Sequence, residues 1–296
     1  MKGDSENLRY LKTLAFLLLP MAMAMAFAYN SPAFRLMMEF MRDDIKQPVR
    51  KVVCLTASKI DYSGRKDKYI SKRDIREIRK ALRPGDIIFH RSESQLSNVA
   101  ISGFWTHAAI YIGGRDEIND YFKNVEIPGY RRPSEYIEKK FPEVFRKILF
   151  HRHLIIEAIG EGVAINPLDH FANADYFAAI RPVTDRKALF GVLLKSFENY
   201  GKPYDFLFDF KTDDALICSE FVYKSFQVPV SGIHFSLKKD NNEPFLTPND
   251  IAQQSIDSDG KQSSMFHFVV FYCGDKERSR AYKSDFSAFR LYALKQ

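Results

Sequence analysis

Two reactive side chains stand near the starts of predicted secondary-structure elements, and any fold of this chain must account for both. His107 lies near the start of a strand predicted over 106–113. Cys218 begins a segment in which Phe221 and Val222 follow at helical spacing. A helix N-terminus stabilises a thiolate, and an imidazole can act as the general base of a thiol nucleophile. Because the histidine precedes the cysteine, the fold must bring two distant segments together.

Both residues also have ordinary structural interpretations, namely a buried free cysteine and a packed core histidine. Glu157 favours the chemical interpretation, because it is a carboxylate at the centre of the apolar strand predicted over 153–159. A buried charge is costly unless it is paired, so Glu157 is predicted to orient the ring of a site histidine. An exposed edge position is the alternative for Glu157. The remaining candidates for base or partner are His90, His151 and His153.

The histidines and cysteines show no spacing typical of a metal site, and the sequence contains no phosphate-binding or dinucleotide-binding motif. No metal and no cofactor are therefore predicted. The net charge of +7 is spread along the chain and is not accompanied by a nucleic-acid-binding motif, so no nucleic-acid partner is expected. A weak preference for an anionic membrane or cell-wall polymer remains open. The 26 phenylalanines and 15 tyrosines indicate an aromatic core, with an apolar substrate cleft as the alternative.

The N-terminal segment 1–28 has the layout of a secretory signal peptide. Residues 13–28 carry no charge, basic residues precede them, and the segment ends on small residues at Ala26 and Ala28. Cleavage would release an exported protein, periplasmic or extracellular, and an uncleaved segment would anchor the chain to a membrane. A buried cytosolic helix is the third possibility.

The rest of the chain divides into a helical lead-in at 29–70, a main domain at 71–275 and a basic tail at 276–296 that is expected to be peripheral. The charged segment 115–150 is expected to be a surface insertion. Strands are predicted at 86–91, 106–113, 153–159, 163–165, 176–181 and 265–273, and helices at 72–82, 134–147 and 186–200 and from Cys218 onward. Antiparallel strands with helices packed to one side indicate an α+β domain.

The three cysteines allow one disulfide. In an exported protein Cys54 and Cys273 could pair and leave Cys218 free, although the count alone permits this pairing and does not establish it.

Five segments, in this order, resemble the YiiX/YaeF branch of NlpC-type cysteine hydrolases. This is the permuted papain-like group that includes relatives of lecithin-retinol acyltransferase. The segments are 82–89 (LRPGDIIF), 104–113 (FWTHAAIYIG), 155–158 (IIEA) with 162–163 (GV), 201–205 (GKPYD) and 217–222 (ICSEFV), with 246–251 (LTPNDI) as a weaker sixth. The resemblance covers about 81–255 and implies a circularly permuted papain-like α+β fold.

The resemblance also implies roles for particular residues. Cys218 would be the nucleophile, His107 the base and Glu157 the third polar residue. Tyr204, in the GKPYD segment, would lie near the cysteine and assist the oxyanion. Trp105 and Asn98, which precede His107, are further candidates for the oxyanion site or the cleft.

The reaction that the resemblance implies is attack on an amide or ester carbonyl, which gives an acyl-thioester that water or another acceptor releases. The substrate is expected to be a cell-wall peptide amide or, alternatively, a lipid acyl ester or amide. A non-catalytic binding protein on the same fold is the competing class.

Overall fold

A computed structural model describes residues 68–93, 103–208, 210, 212–240, 243–257 and 260–295. The predicted leader, the lead-in up to residue 67, Cys54 and Asn98 lie outside these residues, so the predictions made for them remain predictions. In the described ranges, no helix is both long enough and apolar enough to cross a membrane.

The described residues form nine strands and nine helices. The strands are β1 (Ile87–Arg91), β2 (His107–Tyr111), β3 (Leu154–Ile159), β4 (Gly162–Pro167), β5 (Tyr176–Pro182), β6 (Lys238–Asp240), β7 (Glu243–Phe245), β8 (Phe266–Asp275) and β9 (Arg280–Ser284). The helices are α1 (Lys72–Ala81), α2 (Arg115–Tyr121), α3 (Pro133–Lys140), α4 (Pro142–Phe150), α5 (Leu168–Ala172), α6 (Arg186–Glu198), α7 (Cys218–Phe226), α8 (Pro248–Gln254) and α9 (Phe286–Ala293).

Seven of the strands form one antiparallel sheet in the order β4-β3-β2-β1-β5-β8-β9. The short strands β6 and β7 pair separately, in a segment for which no strand was predicted. The sheet confirms the α+β prediction, and each predicted strand is present within a few residues of its expected bounds. The central strands are apolar without alternation, as expected for a sheet that is covered on both faces.

Hydrophobic clusters cover the two faces of the sheet. Ile87 and Phe89 of β1 belong to the larger cluster, whereas Ile88 between them belongs to the smaller one. Most helices contribute to the larger cluster, and only α1 and α5 contribute to the smaller one. The helices therefore lie mainly on one side, as predicted, while two helices cover the other.

The charged segment 115–150 is part of the core and is not a surface insertion. Its three helices, with the residue that follows the first of them, bury apolar side chains in the larger cluster, namely Ile118, Phe122, Ile137, Val144 and Ile148. The single helix predicted over 134–147 is instead two helices that meet at Phe141 and Pro142. Proline cannot donate the backbone hydrogen bond of a helix interior, so it ends α3 and occupies the first turn of α4.

The basic C-terminal segment is also integrated, which corrects the expectation of a peripheral tail. Strand β9 extends the sheet by pairing with β8. Helix α9 begins at Asp285, whose side chain accepts a hydrogen bond from the Ala288 N–H. Phe289 of this helix is fully buried. The segment was predicted to be peripheral because basic residues dominate its composition. Its few apolar residues, which the fold buries, gave only a weak signal.

Candidate active site

His107 and Glu157 lie on the same face of the sheet. Strands β2 and β3 pair at Ile110–Ile156 and Tyr111–Ile155. Since alternate residues of a strand share a face and cross-strand partners face the same way, this register places His107 and Glu157 together. The His107 Nε2 atom lies 2.7 Å from Glu157 Oε2. The predicted pairing of these two residues is thus present in the structure.

A second contact holds the carboxylate of Glu157. The side-chain amide of Asn166, on β4, donates a hydrogen bond of 2.9 Å to Oε1. Each oxygen of this buried carboxylate therefore has a partner, which offsets the cost of removing it from water. The orientation of Glu157 is consequently fixed by one contact to β4 and one to His107.

Cys218 is the first residue of α7, a helix that packs against both β2 and β3. Its side chain lies beside His107 and interacts with the ring electrostatically. Because Nε2 of His107 is engaged by Glu157, Nδ1 is the ring nitrogen left for the sulfur. Cys218 is only 5% exposed, whereas the His107 side chain is 16% exposed. Both side chains are therefore largely shielded from solvent, and part of the His107 ring remains accessible.

The GKPYD segment connects β4 to the start of the cysteine helix. Its first residues pair with Val163 of β4 through the bonds from Val163 N–H to Lys202 O (2.8 Å) and from Gly201 N–H to Val163 O (2.9 Å). Its next residues pair with Leu216, whose N–H donates to Pro203 O at 3.0 Å. The strand that orients Glu157 and the helix that carries Cys218 are thus joined through one short segment.

The electrostatics of the cluster favour a charged histidine. Burial alone would lower the pKa of His107, but the neighbouring Cys218 sulfur and the Glu157 carboxylate outweigh it and raise the pKa to about 10. The reciprocal effect holds for Glu157, where burial would raise the pKa but the contacts with His107 and Asn166 lower it. The arrangement therefore supports an imidazolium at His107, beside the Cys218 sulfur and the Glu157 carboxylate.

The other predicted site residues fall in different places. Tyr204 is half-buried and its backbone pairs with Leu216, two residues before Cys218. It therefore lies close to the cysteine helix, and its role at the oxyanion stays a prediction. Trp105 is fully buried among Phe89, Phe271 and Phe289. This corrects its assignment to an open cleft, because the large apolar indole is covered by core rings.

Of the alternative histidines, only His90 lies beside the cluster. His90 is the cross-strand partner of His107, and the two ring centroids are 5.2 Å apart. His151 is exposed just beyond α4. The Nδ1 atom of His153 is 2.9 Å from the Tyr111 hydroxyl. His90 therefore lies within strand β1, opposite His107.

Sequence analysis missed the role of Asn249, which lies in the weak LTPNDI segment. Its Oδ1 accepts hydrogen bonds from the backbone N–H groups of Phe104 (3.1 Å) and Trp105 (3.2 Å). Its amide nitrogen donates to the carbonyl oxygens of Ala293 (3.0 Å) and Lys295 (3.3 Å). Asn249 thus positions the chain just before His107, and the LTPNDI motif was the only signal that pointed to it.

Comparison with known proteins agrees with this geometry. Residues 81–267 match the profile of the permuted papain-like amidase enzymes, the YaeF/YiiX or C92 family. The chain belongs to this family. The match covers every element from β1 to the start of β8, and with it the three members of the cluster, Cys218, His107 and Glu157.

Among solved structures, the chain is similar to the metalloprotein yiiX from Escherichia coli O157:H7. The two share 18% sequence identity over 63% of this chain and 96% of that one, with a TM-score of 0.42. A comparison with curated proteins gave no significant match. The described residues contain no group of three or more His, Cys, Asp and Glu side chains arranged to hold a metal ion.

Membership of the C92 family places the chain among the cysteine hydrolases and confirms the permuted papain-like fold. In this chain Cys218, on α7, follows His107, on β2, in sequence. The finer chemistry depends on the residues themselves.

Proposed function

We propose that this chain is a cysteine amidase in which Cys218 is the nucleophile, His107 the acid and base, and Glu157 the residue that orients His107. The observation that carries the proposal is the continuous line of contacts from the Cys218 side chain through the His107 ring to the Glu157 carboxylate. A nucleophile beside a base whose ring a third group orients is the arrangement that thiol catalysis requires.

In the proposed first half-reaction, the thiolate attacks the carbonyl carbon and the π electrons move to the carbonyl oxygen. The oxyanion then re-forms the carbonyl and the C–N bond breaks, while the His107 imidazolium gives its proton to the leaving nitrogen. The products of this half-reaction are a free amine and an acyl-thioester on Cys218. In the second half, neutral His107 takes a proton from water, whose oxygen attacks the thioester and releases the carboxylic acid and the thiolate.

The oxyanion would be stabilised by the start of α7. The first N–H groups of a helix have no partner within the helix, and its dipole favours negative charge there. Cys218 is the first helical residue, so its own backbone N–H and those that follow are available to an oxygen near the sulfur. Tyr204 is the side chain proposed to add a hydrogen bond.

The decisive experiment compares two alanine variants of buried free cysteines. Cys218 and Cys273 are both buried, and neither forms a disulfide within the described residues. Replacing Cys218 by alanine should abolish amide hydrolysis and the trapping of an acylated protein by intact-mass spectrometry, and replacing Cys273 should leave both in place. Turnover that survives in Cys218→Ala, with the circular dichroism spectrum unchanged, would remove Cys218 from the mechanism.

The substrate is proposed to be a cell-wall peptide amide. Purified protein should be incubated with muropeptides and, separately, with phospholipid vesicles, and the products analysed by mass spectrometry. Release of fatty acid in place of a peptide cleavage product would favour the lipid acyl hydrolase or acyltransferase alternative. A protein that cleaves neither, and whose Cys218 alkylates no faster at pH 7 than a free thiol, would favour a non-catalytic binding protein.

The reaction is proposed to take place outside the cytoplasm, or at a membrane that the N-terminal segment anchors. The support is the uncharged segment 13–28 and the basic residues before it. Expression of the full chain followed by fractionation and N-terminal sequencing distinguishes the outcomes. A soluble protein that begins at Tyr29 indicates cleavage, full-length protein in the membrane fraction indicates an anchor, and full-length protein in the cytosol contradicts the proposal.

A further inference from the structure

His90 is a second imidazole on the same face of the sheet as the proposed base. It stands directly opposite His107 in the β1–β2 ladder, and the two rings are inclined at 49° with their centroids 5.2 Å apart. The contacts of the proposed triad do not involve it. Its position beside the reacting groups raises the question of what this ring can bind.

The tautomer of His90 is fixed by one hydrogen bond. Its Nδ1 atom lies 2.8 Å from the carbonyl oxygen of Phe171. A carbonyl oxygen can only accept, so Nδ1 must carry the hydrogen. The ring of Phe171 packs against His90 with centroids 4.4 Å apart and restrains its plane. In the neutral ring, Nε2 is consequently a hydrogen-bond acceptor.

The surroundings keep this ring neutral. Burial and, next, the positive charge of His107 lower the pKa of His90 to about 3. The charge of Glu157 acts in the opposite direction and that of His170 in the same direction, both more weakly. Within the described ranges Nε2 has no hydrogen-bond partner, and the side chain is only half-buried. A fixed and accessible acceptor therefore lies next to the proposed acid.

The side of the substrate that meets His90 follows from proton transfer. An imidazolium at His107 must reach the leaving nitrogen to protonate it, so the leaving group lies against His107. His90 is next to His107 on the same face of the sheet, so its ring lies beside the leaving group and not beside the acyl group.

We propose that His90 is a substrate-binding residue whose Nε2 accepts a hydrogen bond from the N–H of the leaving group. This inference depends on the proposed amidase function and refines it. An amide has such an N–H, whereas an ester or an N-methylated amide does not. His90 therefore selects amide substrates over esters that carry the same acyl group.

Two variants separate the two nitrogens of the ring. The side-chain amide of asparagine can replace Nδ1, so His90→Asn keeps the donor to Phe171 and removes the acceptor. The longer glutamine side chain reaches the position of Nε2, so His90→Gln keeps an acceptor there. His151→Asn is the control, because His151 is exposed.

The probes are three compounds with the same N-acetylalanyl group, namely a p-nitroanilide, its N-methyl derivative and a p-nitrophenyl ester. The measurement is kcat/KM for each, with formation of acylated Cys218 followed by mass spectrometry. We expect wild type to prefer the anilide to the N-methyl anilide. His90→Asn should reduce the anilide-to-ester ratio about tenfold, the usual effect of one lost hydrogen bond. His90→Gln should retain the ratio within about twofold, and the control variant should not change it.

An unchanged anilide-to-ester ratio in His90→Asn would overturn the inference. Equal losses on anilide and ester in both variants would indicate a purely structural role and would overturn it as well. A wild-type protein that is acylated by the ester and not by the anilide also contradicts it. Failure of the proposed function looks different, because Cys218 would then not be acylated by any of the three compounds.

Discussion

Glu157 is the residue in which burial and charge conflict most directly. The carboxylate is almost fully buried, yet its pKa is lowered, because the contacts with His107 and Asn166 outweigh the cost of desolvation. Its negative charge in turn is one of the causes that raise the pKa of His107. Glu157 therefore acts on the reaction through the histidine, without contact with the substrate.

Replacing Glu157 by glutamine tests this role through the pH profile. Loss of the carboxylate lowers the pKa of His107 from about 10. The imidazolium, whose positive charge balances that of the proposed thiolate, therefore loses its proton at a lower pH. The alkaline limb of the kcat/KM profile should move to lower pH, and kcat should fall roughly 10²-fold.

Glu161, an exposed residue in the turn after β3, provides the matched control. Glu161→Gln should leave both the alkaline limb and kcat unchanged. An alkaline limb that stays in place in Glu157→Gln, despite a loss of activity, would show that the carboxylate positions the ring without changing its charge.

Glu220 is a second buried carboxyl group, two residues after the proposed nucleophile. Neither of its oxygens has a hydrogen-bond partner among the described residues. Burial is the main cause that raises the pKa of Glu220 to about 8, and the charge of Lys224 offsets part of the effect. The folded protein therefore holds this side chain in its neutral form around pH 7.

The raised pKa of Glu220 makes a prediction about stability. The folded state binds the proton more tightly than the unfolded chain, whose reference pKa is 4.5. The stability contributed by this proton is complete below pH 4.5 and is lost as the pH rises through about 8. Glu220→Gln should therefore raise the Tm relative to wild type increasingly from pH 5 to pH 9, as measured by calorimetry.

In the exposed control Glu138→Gln, on α3, the difference in Tm from wild type should be the same across this range. A flat difference in Glu220→Gln as well would mean that the carboxyl is charged in the folded state.

At the scale of elements, the cysteine helix depends on a close approach of two backbones. Gly162, at the start of β4, has a φ of +110°, and a Cβ there would lie 2.6 Å from the carbonyl oxygen of Lys202. Any side chain at Gly162 would push the GKPYD segment away from β4. The same segment pairs with Leu216 at the entrance to α7, so the displacement would reach Cys218.

Gly162→Ala and Gly129→Ala form a matched pair. Both glycines have positive φ, at +110° and +83°, but a Cβ at Gly129 would meet nothing within 4 Å. Gly162→Ala should therefore destabilise the protein by about 1–3 kcal/mol more than Gly129→Ala in urea unfolding. It should also slow the alkylation of Cys218 by iodoacetamide. Equal effects of the two substitutions would show that the strain of φ alone matters and that the contact with Lys202 does not.

The elements that could be predicted were those whose signal is local. The strand that contains Glu157 and the helix that starts at Cys218 were predicted from the spacing of their apolar residues. The role of Glu157 was predicted from its charge within an apolar strand. The pairing of His90 with His107 was not predictable, because it depends on strand register. The burial of Ile118 and Val144 was missed since the charges around them dominate the composition of that segment.

At the scale of the whole molecule, the folded part extends beyond the region that the family profile covers. Helix α1 precedes the matched residues and packs on one face of the sheet, and strand β9 and helix α9 follow them. Phe289 of α9 contacts the rings of Trp105 and Phe271 at centroid distances of 6.1 and 6.2 Å. The last helix thus supports the segment that leads to His107.

Two substitutions on α9 test how much this contact contributes to the free energy of unfolding. Phe289→Ala should destabilise the protein by about 3–5 kcal/mol, since it leaves a cavity beneath Trp105. Leu291, on the same helix, is 62% exposed, and Leu291→Ala should change the free energy of unfolding by less than about 0.5 kcal/mol. Urea unfolding followed by tryptophan fluorescence measures both, because Trp105 is the one tryptophan in the sequence. Similar values for the two variants would mean that α9 is only loosely attached.

The bonds of Asn249 tie the backbone at Ala293 and Lys295 to that at Phe104 and Trp105. Through the side-chain amide of Asn249, movement of the backbone at Lys295 would be transmitted to the segment that carries His107. A purification tag or fused domain placed after residue 296 would strain these hydrogen bonds. A tag that can be removed is therefore preferable for assays of catalysis.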